Sequence, residues 1–294
     1  MPPWGVFLGT WSLDLWALAL IAAAGGLYGW GLVRAAAAAG VRWPAWRAAA
    51  FYVLGLGLYA FVNLGFLGTY SPQLRWAFSV RIAMMLFVVP AGLALGLPVS
   101  LARQTMRPGR LRTFLAAAAR RPMDLFANSA VAPVVGLVVL SMMLTPLAGI
   151  SRLSPTLEGL LTLAIPLLGL LMVLPMVEEK TRVSTALIML QFVFAFIELL
   201  ADAAPGLVMR LTPNILDGAG ALTGPVPGWF PDALRDQQLG GDFLWFIAEI
   251  MDLPVMILLF VRFSTSDKGE RKILDELTDE QMDDLNAAHL HLRD

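Results

Sequence analysis

The sequence contains no cysteine, and this one absence excludes disulfides, thiolate metal sites, redox CxxC chemistry and a cysteine nucleophile. Histidine is nearly missing. His289 and His291 stand close to the C-terminus, so no imidazole is available to any apolar stretch. Lysine is scarce as well: Lys180, Lys268 and Lys272 all fall outside the apolar runs, which removes the Schiff-base lysine that a retinal pigment needs in its last helix. Neither HExxH nor GxSxG occurs, so binding is expected here, not catalysis. Charge of either sign is sparse, at 15% of residues with a net charge of −1. No basic stripe is interleaved with aromatics, which excludes nucleic acid as a partner. Met1 to Ser12 holds no Lys or Arg ahead of the first apolar run. Lacking the basic start of a cleavable signal peptide, the first span is expected to be retained.

What the chain has instead is apolar sequence in long blocks, 58% of all residues, so the bilayer is the solvent to reason with. A helix needs about 20 apolar residues to cross the hydrocarbon. Seven stretches qualify, near Leu13 to Val33, Trp46 to Leu67, Trp76 to Leu97, Leu125 to Leu147, Leu157 to Val177, Val183 to Leu200 and Asp242 to Val261. The expected fold class is therefore all-α, a polytopic membrane protein. Residues 1–263 make a seven-helix transmembrane domain and residues 264–294 an acidic cytoplasmic tail.

Arg and Lys set the orientation. One set of alternate loops carries Arg34, Arg42 and Arg47, the six arginines from Arg103 to Arg121, Lys180 and Arg182, and five more from Arg262 onward; the other carries Arg75, Arg152, Arg210 and Arg235. The bias is fourfold and places the N-terminus outside and the C-terminus in the cytoplasm of an inner, or plasma, membrane. Trp4, Trp11, Trp16, Trp76, Trp229 and Trp245 fall near the outer interface, and Trp30, Trp43 and Trp46 near the inner one, giving the same topology. The stretch Arg107 to Arg121, with Leu111, Phe114 and Leu115 among its arginines, reads as the positive-inside anchor, with a short helix lying on anionic lipid as the alternative. The outer loop Thr212 to Gly241 reads as an ordinary loop. Its Trp229-Phe230-Pro231 would also suit a partner surface or a re-entrant cap.

Ionisable groups inside spans are costly and become functional candidates by default. Here they are Asp14 at the start of the first span, Arg81 in the third, Glu158 opening the fifth, Glu198 and Asp202 closing the sixth, and Asp242, Glu249 and Asp252 in the seventh. Most are expected in the outer half of the bilayer. Glu249 and Asp252, three apart, share a helix face. Two readings are open: a charge network that locks the helices through Arg81, or a polar cavity open to the outer face that binds a cation, a proton or a partner segment. Methionine is the remaining soft ligand. Met84 and Met85, with Glu249, make a candidate Cu(I) site, since thioethers suit that ion; Met142, Met143 and Met251 are further thioethers, and methionine is also ordinary apolar filler.

Taken in order, several local patterns resemble the CtaG family, seven-helix membrane proteins associated with assembly of caa-type cytochrome c oxidase. They are Trp11 and Asp14 followed by Tyr28, Trp43-Pro44 and Arg47 with Phe51, Phe78-Ser79, and Leu95-Gly96-Leu97-Pro98-Val99. The most specific is Asp236-Gln237-Gln238-Leu239-Gly240-Gly241 with Trp245 and Glu249, followed by Ser266-Asp267 and Glu270-Arg271. The resemblance adds Asp236 to the outer polar cluster of Asp14, Arg81, Glu198, Asp242, Glu249 and Asp252. It implies an assembly factor or accessory subunit acting at the outer face, with oxidase subunits or another membrane complex and membrane lipid as partners, and a link to copper delivery. The chain departs from the family at its membrane histidines. The third-helix segment reads Phe78-Ser79-Val80-Arg81-Ile82-Ala83-Met84-Met85, and the sixth offers Phe194, Phe196 and Glu198. An arginine in a former ligand position repels a cation. The rival reading is a transporter of a small solute, a proton or a metal ion that uses the carboxylates with Arg81.

Overall fold

The computed structural model describes residues 2–37, 42–106, 109–110, 113, 121–126, 128, 130–178, 185–219 and 227–275. Most of the Arg107 to Arg121 stretch and the tail beyond Asp275 lie outside these residues. Every regular element described is helical. Six helices are long and apolar enough to cross a membrane, and a bent pair supplies a seventh span if counted as one.

In chain order, the short helix α1 (Trp4–Gly9) folds under the end of the bundle, with Phe7 against Phe61 and Phe66. Then come α2 (Leu15–Ala37), α3 (Ala45–Tyr70), α4 (Arg75–Thr105), the bent pair α5 (Val131–Leu144) and α6 (Pro146–Leu153), α7 (Pro155–Glu178), α8 (Thr185–Leu211) and α9 (Ala233–Asp275). At the centre stands α4, 61% of whose span is buried against 17% for α2. Its core residues include Trp76, Phe78, Ile82, Met85, Leu86 and Leu93.

Hydrocarbon is as apolar as leucine, so burying leucine does not by itself hold membrane helices together. Close packing and polar contacts must do so. Gly169 of α7 faces the Leu86 carbonyl of α4 so closely that a Cβ would collide with backbone. Gly206 of α8 and Gly241 of α9 approach each other's carbonyls in the same manner and set the register of that antiparallel pair. At the Arg34 end, Tyr28 stacks on Phe51 with centroids 3.8 Å apart, its hydroxyl donates to the Gly96 carbonyl (2.8 Å), and it accepts from Trp43 Nε1 (3.1 Å). Leu97, at φ 48°, turns the chain there. Pro98 then restarts the helix, and the Glu178 carboxylate caps it by accepting from the N–H groups of Val99 (2.9 Å) and Ser100 (3.2 Å).

Three spans differ from expectation. The fourth does not run from Leu125 to Leu147 as one rod: it bends by 82° before Pro146, because Thr145, preceding proline, is forced into an extended conformation (φ −126°, ψ 160°). The sixth continues past Leu200 to Leu211. Ala203 to Met209 remain apolar, and two acidic residues do not end a helix whose backbone bonds are intact. The seventh begins at Ala233, not Asp242, with Asp232 accepting from the N–H groups of Leu234 and Arg235 as its N-cap. Consequently Glu198 and Asp202 lie inside α8 and do not close it, and Glu249 and Asp252 stand several turns after the start of α9.

Candidate functional site

Arg81 is 2% exposed and reaches across three neighbours. Its Nε donates to Asn63 Oδ1 (3.0 Å), Nη2 to Thr162 Oγ1 (2.7 Å), and Nη1 makes an ion pair with Glu158. Asp14 completes the group. Its Oδ2 stands 3.6 Å from Arg81 Nη2, while Oδ1 accepts from the N–H groups of Trp16 and Ala17 and so caps α2. Tyr59 closes the floor by donating to the Thr162 carbonyl (2.9 Å). One guanidinium thereby ties α2, α3, α4 and α7 at one level, with every nitrogen engaged.

A second network, which the sequence did not reveal, lies at the same end of the bundle. Asp217 accepts from Arg75 Nη2 (3.1 Å) through one oxygen and from Arg152 Nη2 (2.9 Å) through the other. Arg152 also donates to the Pro72 carbonyl (3.1 Å). All three side chains are buried. Asp236 takes the N–H groups of Arg75 (2.8 Å) and Trp76 (3.1 Å), so a residue of α9 caps α4. Gln237 binds the chain just beyond α8, accepting from the Leu216 N–H (2.8 Å) and donating to the Asn214 carbonyl (3.0 Å). Gly240 lets α9 pass close to Ser79. The Asp236 to Gly241 segment is thus a clamp built from two polar side chains and two glycines. Trp229 and Phe230 fold down over it onto Tyr70 and Phe66; residues 220–226 of that loop lie outside the described ones.

Arg75 and Arg152 are counted from sequence as loop charges. The available signal was their placement, Arg75 directly before Trp76 and Arg152 inside Leu147 to Leu153, where a cation has apolar neighbours and needs an anion.

The expected outer cluster therefore separates. Asp14 and Arg81 come together; Asp236 joins Arg75; Asp242 pairs with Arg210 at the exposed surface (3.4 Å). Three of its carboxylates remain, Glu198, Glu249 and Asp252, and with Asp202, from outside that cluster, they make four that meet no cation among the described residues. Asp202 is fully buried with neither oxygen hydrogen-bonded, and Asp252 Oδ2 is likewise buried without a partner. Glu198 lies within electrostatic range of both, and Glu249 of Asp252. All four belong to α8 and α9, which pack on each other along their length but leave wide apolar faces, including Phe196, Ile197, Phe246, Ile250 and Leu253, exposed.

The methionine candidates lie elsewhere in character. Met85 is wholly buried in the apolar core and Met84 packs against that core. Among the described residues, no three side chains of His, Asp and Glu converge to hold a metal ion.

Comparison with known proteins gives one family. The CtaG model, described as cytochrome c oxidase caa3 assembly factor, matches residues 26–266. No curated protein and no solved structure matches the chain significantly.

Proposed function

We infer, because this chain belongs to the cytochrome c oxidase caa3 assembly factor family, that it binds a membrane-embedded oxidase subunit during assembly through the exposed face of α8 and α9. The observation that carries this reading is the distribution of charge. Asp14, Glu158, Asp217, Asp236 and Asp242 are each matched to an arginine, and Glu178 to the start of a helix segment. Glu198, Asp202, Glu249 and Asp252 are matched to no cation among the described residues. Acidic groups near the middle of a span cost several kcal/mol unless a partner compensates them. A helix of the client subunit that carries a basic or hydrogen-bonding side chain into the half-buried Glu198, Glu249 and Asp252 would supply that compensation. The two arginine networks hold the rest of the bundle rigid, so the face is presented in one geometry.

The donors present do not suit copper as cargo. There is no thiolate, both histidines lie beyond Asp275, and an arginine fills the centre of the polar layer. The reading is accordingly a scaffold acting by contact. Its orientation, with the Arg81 layer in the outer half of a plasma membrane, rests on the Arg and Lys distribution.

The test combines Glu198→Gln, Glu249→Gln and Asp252→Asn in one variant. Neutral amides remove a desolvation cost, so the bundle should melt no lower than wild type, yet co-purification of oxidase subunits and the yield of assembled oxidase should fall together. A stable triple variant that still supports full assembly would overturn the docking face.

A further inference from the structure

A cavity of about 400 Å³ opens on the side of the bundle between α2, α3, α4 and α7, and no residue of α8 or α9 lines it. Its wall is almost wholly apolar, with Leu27, Phe51, Leu56, Leu93, Leu101 and Leu170 prominent. Along α2 it extends from Leu20 to Trp30, about 15 Å at the helical rise. That is one half of a hydrocarbon core about 30 Å thick, the depth of a single leaflet.

The end near Leu20 is apolar, while the opposite end, at Trp30, Thr105 and Met106, is bordered by cations. Arg34 lies one turn beyond Trp30 and stacks on its ring at 4.0 Å. Arg103 stands exposed between the lining residues Ala102 and Thr105. Arg47 is one turn before Phe51, over the Trp43 ring that hydrogen-bonds the lining residue Tyr28. Among the described residues, no carboxylate forms an ion pair with any of the three. Arg47 Nε is also buried with no hydrogen-bond partner, a donor that a protein surface does not leave orphaned without reason.

We propose that this cavity holds one acyl chain of an anionic phospholipid, whose phosphate sits among Arg34, Arg47 and Arg103. The apolar depth matches a chain and the rim matches a headgroup. Basic pockets between membrane helices recognise acidic lipids by this combination, and Arg binds phosphate through several N–H groups at once. A site so placed would fasten the lipid-exposed α2 to α3, α4 and α7.

Native mass spectrometry of the delipidated full chain tests this, with phosphatidylglycerol and phosphatidylcholine of identical chains added in turn. The expected result is a single phosphatidylglycerol adduct. It should weaken about fivefold for each of Arg34→Gln, Arg47→Gln and Arg103→Gln, and be lost when Ala24→Phe fills the cavity. Leu27 also lines the cavity yet is 69% exposed, so Leu27→Trp blocks the entrance even should the Phe variant not fold. Equal adducts with both lipids, or a phosphatidylglycerol adduct indifferent to the filling variants, would overturn the site and leave only ordinary boundary lipid.

Discussion

Replacing Arg81 by Met tests the best-defined part of the interior. The substitution keeps apolar length on α4 and removes the charge. It strands Glu158 and Asp14, whose side chains are 23% and 21% exposed, and it leaves Asn63 Oδ1 and Thr162 Oγ1 short of a donor. Removing one partner of a buried ion pair costs about 3–5 kcal/mol. Because both carboxylates retain some access to solvent, the lower end applies, about 3 kcal/mol, or a hundredfold and more in the folding equilibrium. SDS titration from mild-detergent micelles, followed by tryptophan fluorescence, reads this directly. Glu158→Gln should also destabilise, since Arg81 is then compensated by Asp14 alone at 3.6 Å. The Arg81→Met/Glu158→Gln pair should be less damaging than the sum of its members, by about 1 kcal/mol or more for residues in contact. An Arg81→Met protein within about 0.5 kcal/mol of wild type, the range of an inconsequential surface change, would refute the network. So would strict additivity of the pair.

Asp217→Asn should cost a similar amount, since it deprives two buried guanidiniums of their shared anion; a melt unchanged from wild type would show the contact is not formed. Glu178→Ala removes the cap from Pro98–Thr105, a loss of about 1 kcal/mol, and hydrogen exchange should rise in that segment while the rest of α4 stays protected. Exchange unchanged there would argue against the cap. Met84→Leu with Met85→Leu should leave Cu(I) retention where it was, because the pair sits in the apolar core; loss of stoichiometric copper would reinstate the thioether site.

The all-helical class, six of the seven expected spans and the family were legible because they depend on long-range properties of the chain, apolar length and motifs in order. Boundaries that depend on local competition were not. Asp202 reads as a helix end, yet α8 passes through it with its carboxylate buried beside Gly136, a contact that no local pattern records. Asp242 reads as the start of the last apolar stretch, whereas α9 already runs through the Gly240-Gly241 pair before it, glycines that serve a helix crossing. Two stretches of wide helical turn, Ala50–Gly57 and Met84–Val88, add residues to their turns and rotate the rest of each helix about its axis. Counting at the ordinary helical period therefore misplaces the residues that follow each of these stretches. The polar cluster was visible as a set of residue types. Its division into locked and unmatched groups was not, since that depends on which arginine each carboxylate meets, and Arg75, Arg152 and Asp217 meet only in the folded bundle.

Photo-crosslinking from the α8 and α9 face in cells assembling the oxidase is the most direct measurement. The photoreactive residue should replace Ile197, beside Glu198, and Phe246, on the exposed side of α9, with Val53 of α3 as the control, all three exposed. The expected result is a crosslink to an oxidase subunit from positions 197 and 246 that disappears when Glu198, Glu249 and Asp252 are neutralised, and none from position 53. A crosslink from position 53 alone, or one from α8 and α9 that persists after neutralisation, would contradict the docking face.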